Sequence, residues 1–351
     1  MTASIRVLMV TSDWWNSRGG AAVFIARQAD FLRREGVEVD LFPFRGSRRP
    51  GNYAAAWREV QHRLKHGSYD LVHAQFGQSG ITALPKRVPL VVTFRGDDLE
   101  GIIGEKGRYI PAGWLLRLIS RTVARRSDAA IVVSEHMKRH LPSSIDAHVL
   151  PSGLDLDLFQ PEPQHVARIR LGLPADRKLV LFVGNPDLAR KRFGLATEAV
   201  AIVSRAIPTQ LLAGWNKPHH EIAGLMNACD ALLFTSLQEG SPNAVKEALA
   251  CNLPVVSVKV GDVPLRLAGI AGCELCPDDR AETIAAALER VLRRGTRTDS
   301  RTAVQDLDER ALTARLIDIY RSVLPQAKAR VERPGSWRPD HQSGVPLGCA
   351  V

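Results

Sequence analysis

The chain has 351 residues, of which 45% are hydrophobic and 6% aromatic, and it carries a formal net charge of +10. This length exceeds the usual size of a single domain and predicts two domains. No apolar run reaches the roughly eighteen residues of a membrane span, and the one near residue 5 is too short for a signal-peptide core, so we expect a cytoplasmic protein.

The first half of the chain alternates predicted strands and helices. Strands are predicted over residues 5–12, 37–42, 71–74, 90–94 and 130–134. A Gly-rich loop with Gly19 and Gly20 follows the first strand and leads into a helix over 21–35. Residues 1–150 contain 22 Lys and Arg and 14 Asp and Glu, whereas residues 151–351 contain 25 and 23. The bias indicates an acidic partner: nucleic acid, an anionic membrane or a phosphorylated substrate.

The second half repeats the alternation. Strands are predicted over 178–185, 210–213, 231–235 and 253–258, and helices over 193–205, 284–294 and 309–323. Such alternation predicts an α/β fold with two doubly wound parallel sheets.

The domain boundary is predicted in the proline-interrupted segment that follows residue 150. We place an N-terminal domain at 1–152 and a C-terminal domain at 153–325, with the final helix able to pack back on the N-terminal domain. Residues 328–351 contain three prolines and no periodicity, which predicts a disordered tail.

Histidine and cysteine spacing gives no sign of a metal site. Cys273 and Cys276 form a C-x-x-C pair, but the second pair of a zinc site is missing. His136 and His140 share a helix face without the H-E-x-x-H order, so we expect a solvated face. The sequence therefore predicts no metal and no cofactor.

A strand, loop, helix and strand follow one another over residues 231–258, which predicts a βαβ crossover. Ser241 is expected to cap the helix and Pro242 to take its first position. The loop and helix start then lie at the carboxyl end of the sheet, where an anion is favoured, although Glu239 in the same loop would repel one. A sugar attached to a phosphate satisfies both conditions. An ordinary helix start remains the alternative, because Lys246 and Glu247 lie away from the apolar helix face on a wheel.

Two other ligand motifs receive no support. Neither the G-x-G-x-x-G of dinucleotide enzymes nor the P-loop occurs in the chain. Asp155 and Asp157 form a D-x-D, but it lies in the interdomain segment, where a metal-diphosphate site is not expected.

The stretch Glu239-Gly-Ser-Pro-Asn-Ala-Val-Lys-Glu247 resembles the E-x7-E element of retaining glycosyltransferases of family 4, which have the GT-B fold. Further matches run from about residue 5 to residue 325. They include the Gly19-Gly20 loop, Asp70-Leu-Val-His-Ala, Pro151-Ser-Gly-Leu-Asp, Val183-Gly184 with Lys191, and Ala250-Cys-Asn-Leu-Pro-Val-Val. The resemblance implies two Rossmann-like domains that face each other across a cleft.

The resemblance also implies roles for individual residues. Glu239 would bind the donor sugar, Glu247 the ribose, and Lys191 the diphosphate of a nucleotide-sugar co-substrate. The residues assigned to catalysis are Glu239, Lys191, Arg95 and Asp97. Those assigned to donor binding are Gly19, Gly20, Asn185, Arg190, Arg192, Gly214, Trp215, Asn216, Lys217, Gly240, Ser241, Pro242, Asn243 and Glu247.

Two positions depart from the family pattern. Asn185 stands where the family usually has an arginine, and Arg190 or Arg192 is expected to supply that charge. Arg95 stands where a histidine is common, and its charged fork is suited to phosphate or sugar oxygens. A catalytically degenerate sugar-nucleotide-binding protein and a basic nucleic-acid-binding protein remain as alternatives, although sparse aromatics and the acidic pair argue against nucleic acid.

The acceptor is expected to be a polysaccharide, glycolipid or small metabolite with a free hydroxyl. Arg117, Arg121 and Arg125 recur at helical spacing in a predicted helix over 114–126, with Leu115 and Leu118 elsewhere on the wheel. A solvated arginine face is one reading, and contact with anionic lipid head groups at the inner face of the membrane is the other.

Overall fold

The computed structural model describes residues 4–12, 22–46, 49–104 and 106–325. The first half forms β1 (Arg6–Thr11), β2 (Glu38–Pro43), β3 (Leu71–Gln75), β4 (Leu90–Phe94), β5 (Ala129–Val132) and β6 (Ala147–Val149). Its helices are α1 (Val23–Arg34), α2 (Pro50–His66), α3 (Gly77–Gly80), α4 (Asp97–Glu100) and α5 (Pro111–Arg126). Gly19, Gly20 and the predicted tail at 328–351 lie outside the described residues.

The second half forms β7 (Lys178–Val183), β8 (Thr209–Gly214), β9 (Ala231–Phe234), β10 (Val255–Ser257) and β11 (Glu274–Leu275). Its helices are α6 (Gln164–Leu171), α7 (Phe193–Val203), α8 (His219–Ala228), α9 (Asn243–Ala250), α10 (Val263–Leu267), α11 (Ala281–Arg294) and α12 (Glu309–Val323). The strands β6 and β11 were not predicted from the sequence, because three and two residues are too few to show a period.

Each half contains one parallel sheet, as predicted. The first sheet has the order β2-β1-β3-β4-β5-β6 and the second has the order β11-β10-β9-β7-β8. Every residue of β3, β4 and β5 is buried, because helices cover both faces of such a sheet, and most of these residues are apolar.

The strand order reverses once in each sheet, and ligands of doubly wound folds bind at the carboxyl ends of the strands beside that point. In the first sheet the reversal lies between β1 and β3, and in the second it lies between β7 and β9. The loops after β7 and β9 are those that carry Lys191 and Glu239. The topology therefore places both residues where this fold binds ligands.

Two chain segments cross between the halves side by side. Leu154 forms a parallel bridge with Asp308, through Leu154 N–H to the Leu307 carbonyl (2.8 Å) and Glu309 N–H to the Leu154 carbonyl (2.9 Å). Beyond this crossing, α12 returns to the first half, where the Tyr320 hydroxyl lies 2.7 Å from His73 Nδ1 in β3. The boundary at residue 152 stays a prediction.

The arginines of α5 share its outward face with large apolar side chains. Its buried residues are small or β-branched: Gly113, Ser120, Val123 and Ala124. The side chains of Trp114, Leu115 and Leu118 are exposed by 68%, 54% and 46%. Arg121 is only half-exposed, since its Nε donates to the His140 carbonyl (2.9 Å). The outward face is therefore a mixture of large apolar side chains and arginines rather than an arginine face alone.

Candidate active site

Two loops of the second sheet are joined where β7 and β9 end. The loop after β7 includes a 3-10 turn, Ala189–Lys191, and its Arg190 carbonyl accepts from Leu237 N–H at 2.7 Å. The hydroxyl of Thr235 donates to the Lys191 carbonyl at 2.9 Å. These bonds fix the residues that follow β9 against those that precede α7.

Glu239 is the centre of a cluster of charges in these loops. Its Oε1 accepts from Lys191 Nζ at 2.5 Å and from Arg190 Nη1 at 3.3 Å. Burial alone would raise the pKa of Glu239, but Lys191 and Arg190 together hold that pKa below its ordinary value. The side chains of Glu239 and Lys191 are 14% and 15% exposed, so the cluster has an ionised carboxylate with two cations and little water.

Gly184 allows Lys191 to reach this position. A Cβ on Gly184 would lie 3.3 Å from Cδ of Lys191 and 3.4 Å from its Cε, and the Gly184 φ of +147° is one that side chains rarely adopt. The lysine stem therefore lies along the backbone directly after β7.

In the first half, the loop after β4 faces the Glu239 cluster. Asp97 Oδ2 lies 4.0 Å from Nε of Arg190. The next residue, Asp98, is buried, and its carboxylate accepts from the backbone N–H groups of Gly77 (2.9 Å), Arg95 (3.1 Å) and Gly96 (3.0 Å). Asp98 thus anchors the loop, and Asp97 is the carboxylate that faces the cluster.

The backbone at Gly240 touches the first half directly. A Cβ there would overlap the carbonyl oxygen of Arg95 and would lie 3.0 Å from both Met137 Sδ and Val133 Cγ2. Only glycine allows this close approach, because any side chain would push apart the loops of the first and second halves, which form the two walls of the cleft.

The Arg95 side chain extends from the loop after β4 toward Ser152, in the segment that joins the halves. Its Nη1 donates to Ser152 Oγ at 2.6 Å, its Nη2 donates to Gln75 Oε1 at 2.6 Å, and the guanidinium lies 4.8 Å from the Phe24 ring. These contacts support the shape of the loop. They do not bring Arg95 to Glu239 in the way that Arg190 is brought.

The helix α9 begins one residue later than predicted. Its N-cap is Pro242, and the Ser241 hydroxyl donates to Asp262 Oδ2 at 2.8 Å instead of capping the helix. The prediction of a Ser241 cap is wrong because the helix starts one residue later, with Pro242 at the N-cap position and the Ser241 side chain turned toward Asp262. The Oδ1 atom of Asn243, the first helical residue, is buried without a partner among the described residues.

Lys246 and Glu247 lie on the side of α9 away from its apolar face, and that side is also buried. Lys246 is fully buried and Glu247 is 3% exposed. Lys246 Nζ donates to the Ser152 carbonyl at 2.9 Å, and burial lowers the pKa of Lys246 to about 7. Lys246 therefore points away from the apolar face, as the wheel predicted, and its ammonium contacts Ser152 in the segment that joins the halves.

The other predicted donor residues lie at the end of β8 or in the loops that follow β7 and β8. Asn185 Oδ1 accepts from Asp187 N–H at 3.0 Å and so shapes the turn after β7. Arg192 pairs with Asp279 and donates to the Thr235 carbonyl, which leaves Arg190 as the arginine on Glu239. Gly214 ends β8, and three more of these residues follow it: Trp215 (39% exposed), Asn216 (φ +55°) and Lys217, which pairs with Glu221 at 3.1 Å.

Several residues at the interface between the walls were not predicted. Gln238 Nε2 donates to the Gly101 carbonyl at 2.9 Å, and Ser134 Oγ donates to the Gly240 carbonyl at 3.0 Å. His136 was expected on a solvated face, but its ring lies 3.0 Å from Ser134 Oγ and 3.1 Å from Glu100 Oε1. No local pattern signals such contacts, since they depend on how the halves meet.

Comparison with known proteins places this geometry in a family. The model of Glycosyltransferase Family 4 matches residues 14–158, and that of Glycosyl transferases group 1 matches residues 177–294. A D-inositol 3-phosphate glycosyltransferase of Mycobacterium tuberculosis is 27% identical over 329 residues, which cover 72% of this chain and 67% of that protein. TuaC of Bacillus subtilis, a candidate teichuronic acid biosynthesis glycosyltransferase, is 29% identical over 219 residues, 55% of this chain and about half (54%) of TuaC.

Solved structures show the same fold. Sucrose-phosphate synthase from Thermosynechococcus elongatus superposes with a TM-score of 0.75 at 19% identity, covering 91% of this chain and 98% of its own. Anabaena HepE, solved in complex with UDP and glucose, gives a TM-score of 0.68 at 17% identity, covering 91% and 100%. With two parallel sheets, a charged cluster at the second switch point and these matches, the chain belongs to glycosyltransferase family 4, group 1, and has the GT-B fold.

Proposed function

We propose that this glycosyltransferase moves a sugar from a nucleotide-diphosphate sugar to an acceptor hydroxyl, with retention of the anomeric configuration. The observation that carries the proposal is the cluster of Glu239, Lys191 and Arg190 at the switch point of the second sheet, facing Asp97. Lys191 and Arg190 place two cations beside each other, and a diphosphate can bind them in exchange for their contacts with Glu239 and Asp97.

The cluster divides the donor between its charges. Lys191 and Arg190 bind the diphosphate and stabilise the negative charge that develops on the leaving group. Glu239, held ionised by those cations, accepts hydrogen bonds from the sugar hydroxyls. Glu247 accepts from the ribose, and Trp215 stacks on the base beyond β8.

Arg190 supports the proposal at the point where the chain departs from the family, Asn185. The family arginine is missing at that position, yet Arg190 places a guanidinium 3.3 Å from Glu239. This favours an active transferase over a degenerate binding protein, since the expected charge is present from a neighbouring position. Arg95 supports the loop that carries Asp97, and Asp97 is the first-half carboxylate nearest to the reacting groups.

Catalysis in this proposal comes from positioning and charge stabilisation, without a protein nucleophile, a metal or a cofactor. The mycobacterial relative is named for D-inositol 3-phosphate and TuaC for teichuronic acid. We place the acceptor in the range that these names span, from a small metabolite to a cell-surface polysaccharide or glycolipid.

A thermal-shift panel of UDP, GDP and ADP sugars tests the proposal. A donor present at about 100 times its Kd stabilises the folded protein by roughly 2.7 kcal/mol. The donor that raises the melting temperature is then used for transfer, and NMR of the product gives its anomeric configuration. An inverted product rejects retention, and a panel without any stabilising sugar nucleotide rejects the donor class.

We also propose that the outward face of α5 binds an anionic membrane surface. No described helix has both the length and the apolar character to cross a bilayer. Residues 106–126 contain six Lys and Arg and no Asp or Glu. Trp114, Leu118, Arg121 and Arg125 lie within about 60° on the helical wheel, so one stripe is apolar at its start and cationic at its end.

This stripe begins beside the cleft. A Cβ on Gly101, whose carbonyl binds Gln238, would lie 3.3 Å from Tyr109 and 3.4 Å from Arg117. Tyr109 is 63% exposed. Membrane contact through this face would therefore bring the cleft to the lipid surface, where lipid-linked acceptors are found.

Cosedimentation with vesicles tests this surface. We expect binding to phosphatidylglycerol-containing vesicles and not to pure phosphatidylcholine, with at least a tenfold loss of binding in the Trp114→Ser/Leu118→Gln variant, as about 0.8 kcal/mol per buried CH₂ requires. The control is Leu265→Gln, because Leu265 is 73% exposed on the second half. Equal binding to both vesicles, or an equal loss in the control, rejects the surface.

A further inference from the structure

The loop that carries Glu239 is held by the first half on both sides of that residue. Gln238 Nε2 donates to the Gly101 carbonyl at 2.9 Å, and the Gly240 carbonyl accepts from Ser134 Oγ at 3.0 Å. Glu239 itself pairs with Lys191 within the second half. The residue proposed to bind the sugar is therefore flanked by two hydrogen bonds that exist only while the halves are together.

The bond to Gly240 has its own support. Ser134 is 4% exposed, and its hydroxyl has a single proton, which goes to the Gly240 carbonyl. The oxygen then accepts from Nδ1 of His136, 3.0 Å away, and because Nε2 faces the Glu100 carboxylate, both ring nitrogens donate and His136 is an imidazolium in this arrangement. His136 Nε2 lies 3.1 Å from Glu100 Oε1, with the His136 and Glu100 side chains 21% and 10% exposed. A carboxylate thus orients a histidine, which orients a hydroxyl.

The same network reaches the other wall of the cleft. Glu100 is the last residue of α4, and Asp97, which faces Arg190, is the first. The segment that places Asp97 is therefore tied through His136 and Ser134 to the segment that places Glu239. This connection therefore links the position of Asp97 to that of Glu239.

We propose that Glu100, His136 and Ser134 are positioning residues that form a latch across the cleft. The latch fixes the Gly240 carbonyl, and with it Glu239, against α4 in the closed arrangement used for transfer. It rests on the proposed function for its role in turnover. Nucleotide binding does not need it, because the charged and aromatic side chains proposed for the nucleotide (Lys191, Arg190, Glu247 and Trp215) belong to the second half.

The Ser134→Ala variant tests the latch by kinetics. We expect kcat to fall about tenfold, the effect of one buried hydrogen bond, while the Kd of the nucleoside diphosphate changes less than about twofold. His136→Leu should reproduce this effect, and His136→Gln, which retains an N–H donor, should recover most of the loss. Ser127→Ala is the matched control, since the Ser127 hydroxyl bonds only locally to the Ala124 carbonyl at 2.9 Å.

Amide hydrogen exchange gives a readout that needs no donor. Exchange over residues 236–243 should be about tenfold faster in Ser134→Ala and unchanged in Ser127→Ala. Unchanged exchange in Ser134→Ala overturns the latch, and faster exchange with unchanged kcat overturns its role in positioning. A wild-type protein that turns over no sugar nucleotide rejects the proposed function, and the exchange experiment still decides whether the latch holds the loop.

Discussion

The wall of the cleft from the second half is charged, whereas the wall from the first half meets it mainly with backbone and one exposed carboxylate. Lys191 and Arg190 follow β7, Glu239 follows β9, and the loops are joined by hydrogen bonds to the Arg190 and Lys191 carbonyls. Opposite them, the Arg95 carbonyl packs against Gly240, and the Ser134 hydroxyl donates to the Gly240 carbonyl. The charged wall is suited to hold the donor, and the other wall determines how closely the cleft can close.

The largest expected effect comes from the charged wall. Lys191→Ala should lower kcat by about 10²-fold or more, because a preorganised donor to the leaving group is lost. The measurement is steady-state transfer with the donor found in the nucleotide panel. Lys65→Ala, on the exposed side of α2, is the matched control and should keep full activity. A Lys191→Ala enzyme with unchanged kcat would remove the diphosphate role of this lysine.

Gly240→Ala should have the next largest effect, and it acts through contact instead of charge. The added Cβ would overlap the Arg95 carbonyl oxygen, so the walls would be forced apart. We expect kcat/KM to fall about tenfold or more and the protein to lose about 1–3 kcal/mol of stability, as overpacking does.

Gly194→Ala is the control for this substitution, since a Cβ there meets nothing within 4 Å. Gly194 lies inside α7, where alanine is the better helix former, so stability should stay the same or rise by up to about 1 kcal/mol. Equal behaviour of the two variants would show that the close approach at Gly240 has no functional weight.

The burial of Lys246 against Ser152 predicts that the stability of the protein depends on pH. Burial lowers its pKa to about 7 in the folded protein, against about 10.4 in an unfolded chain. Between these values the unfolded chain binds the extra proton, so the free energy of unfolding rises as pH increases and falls as pH decreases toward 7.

Denaturant unfolding at pH 7 and pH 9 measures this dependence. Lys246→Met removes the buried charge, so the stability of the variant relative to wild type should be about 2 kcal/mol more favourable at pH 7 than at pH 9. Lys65→Met should show no such difference. A wild-type stability that falls from pH 7 to pH 9 relative to the variant would contradict the sign.

The smallest effect is expected at the contact between α12 and the first sheet. Tyr320→Phe removes the hydroxyl that lies 2.7 Å from His73 Nδ1 and should destabilise the protein by about 1 kcal/mol, the net contribution of one hydrogen bond. Tyr109→Phe, at an exposed tyrosine, should have almost no effect. Denaturant unfolding at pH 7 compares the two, and equal stabilities would show that the buried bond contributes nothing.

His73 makes the stability of the protein depend on pH in the acid range. Burial, with a smaller effect of Arg95, lowers the pKa of His73 to about 3. An unfolded histidine titrates near 6.5, so this contribution to stability is complete above about pH 6.5 and is lost as pH falls toward 3.

The sequence predicted the charged wall better than the opposite one. Glu239, Lys191 and Glu247 lie in short segments whose strand, loop and helix order is local, so a motif could place them at the carboxyl end of a sheet. Ser134 and His136 lie about a hundred residues from Gly240, and no periodicity connects them. The closeness of the walls was therefore beyond what a local pattern specifies.

The orientation of α5 shows the same limit. Its arginines recur along one side of the wheel, but packing turned Gly113, Ser120 and Ala124 inward, because small residues allow a helix to approach its neighbours. Leu115 and Leu118 were left outside. Period alone describes a helix and does not specify which face the fold will bury.

Isothermal titration with UDP, GDP and ADP of the wild type, Lys191→Ala and Lys65→Ala is the most direct test of the donor site. The account predicts that at least one of these nucleotides binds the wild type and Lys65→Ala equally, and that its affinity for Lys191→Ala is weaker by about tenfold or more, the loss of one charged hydrogen bond. Equal affinity for all three proteins, or no binding of any of these nucleotides, would contradict it.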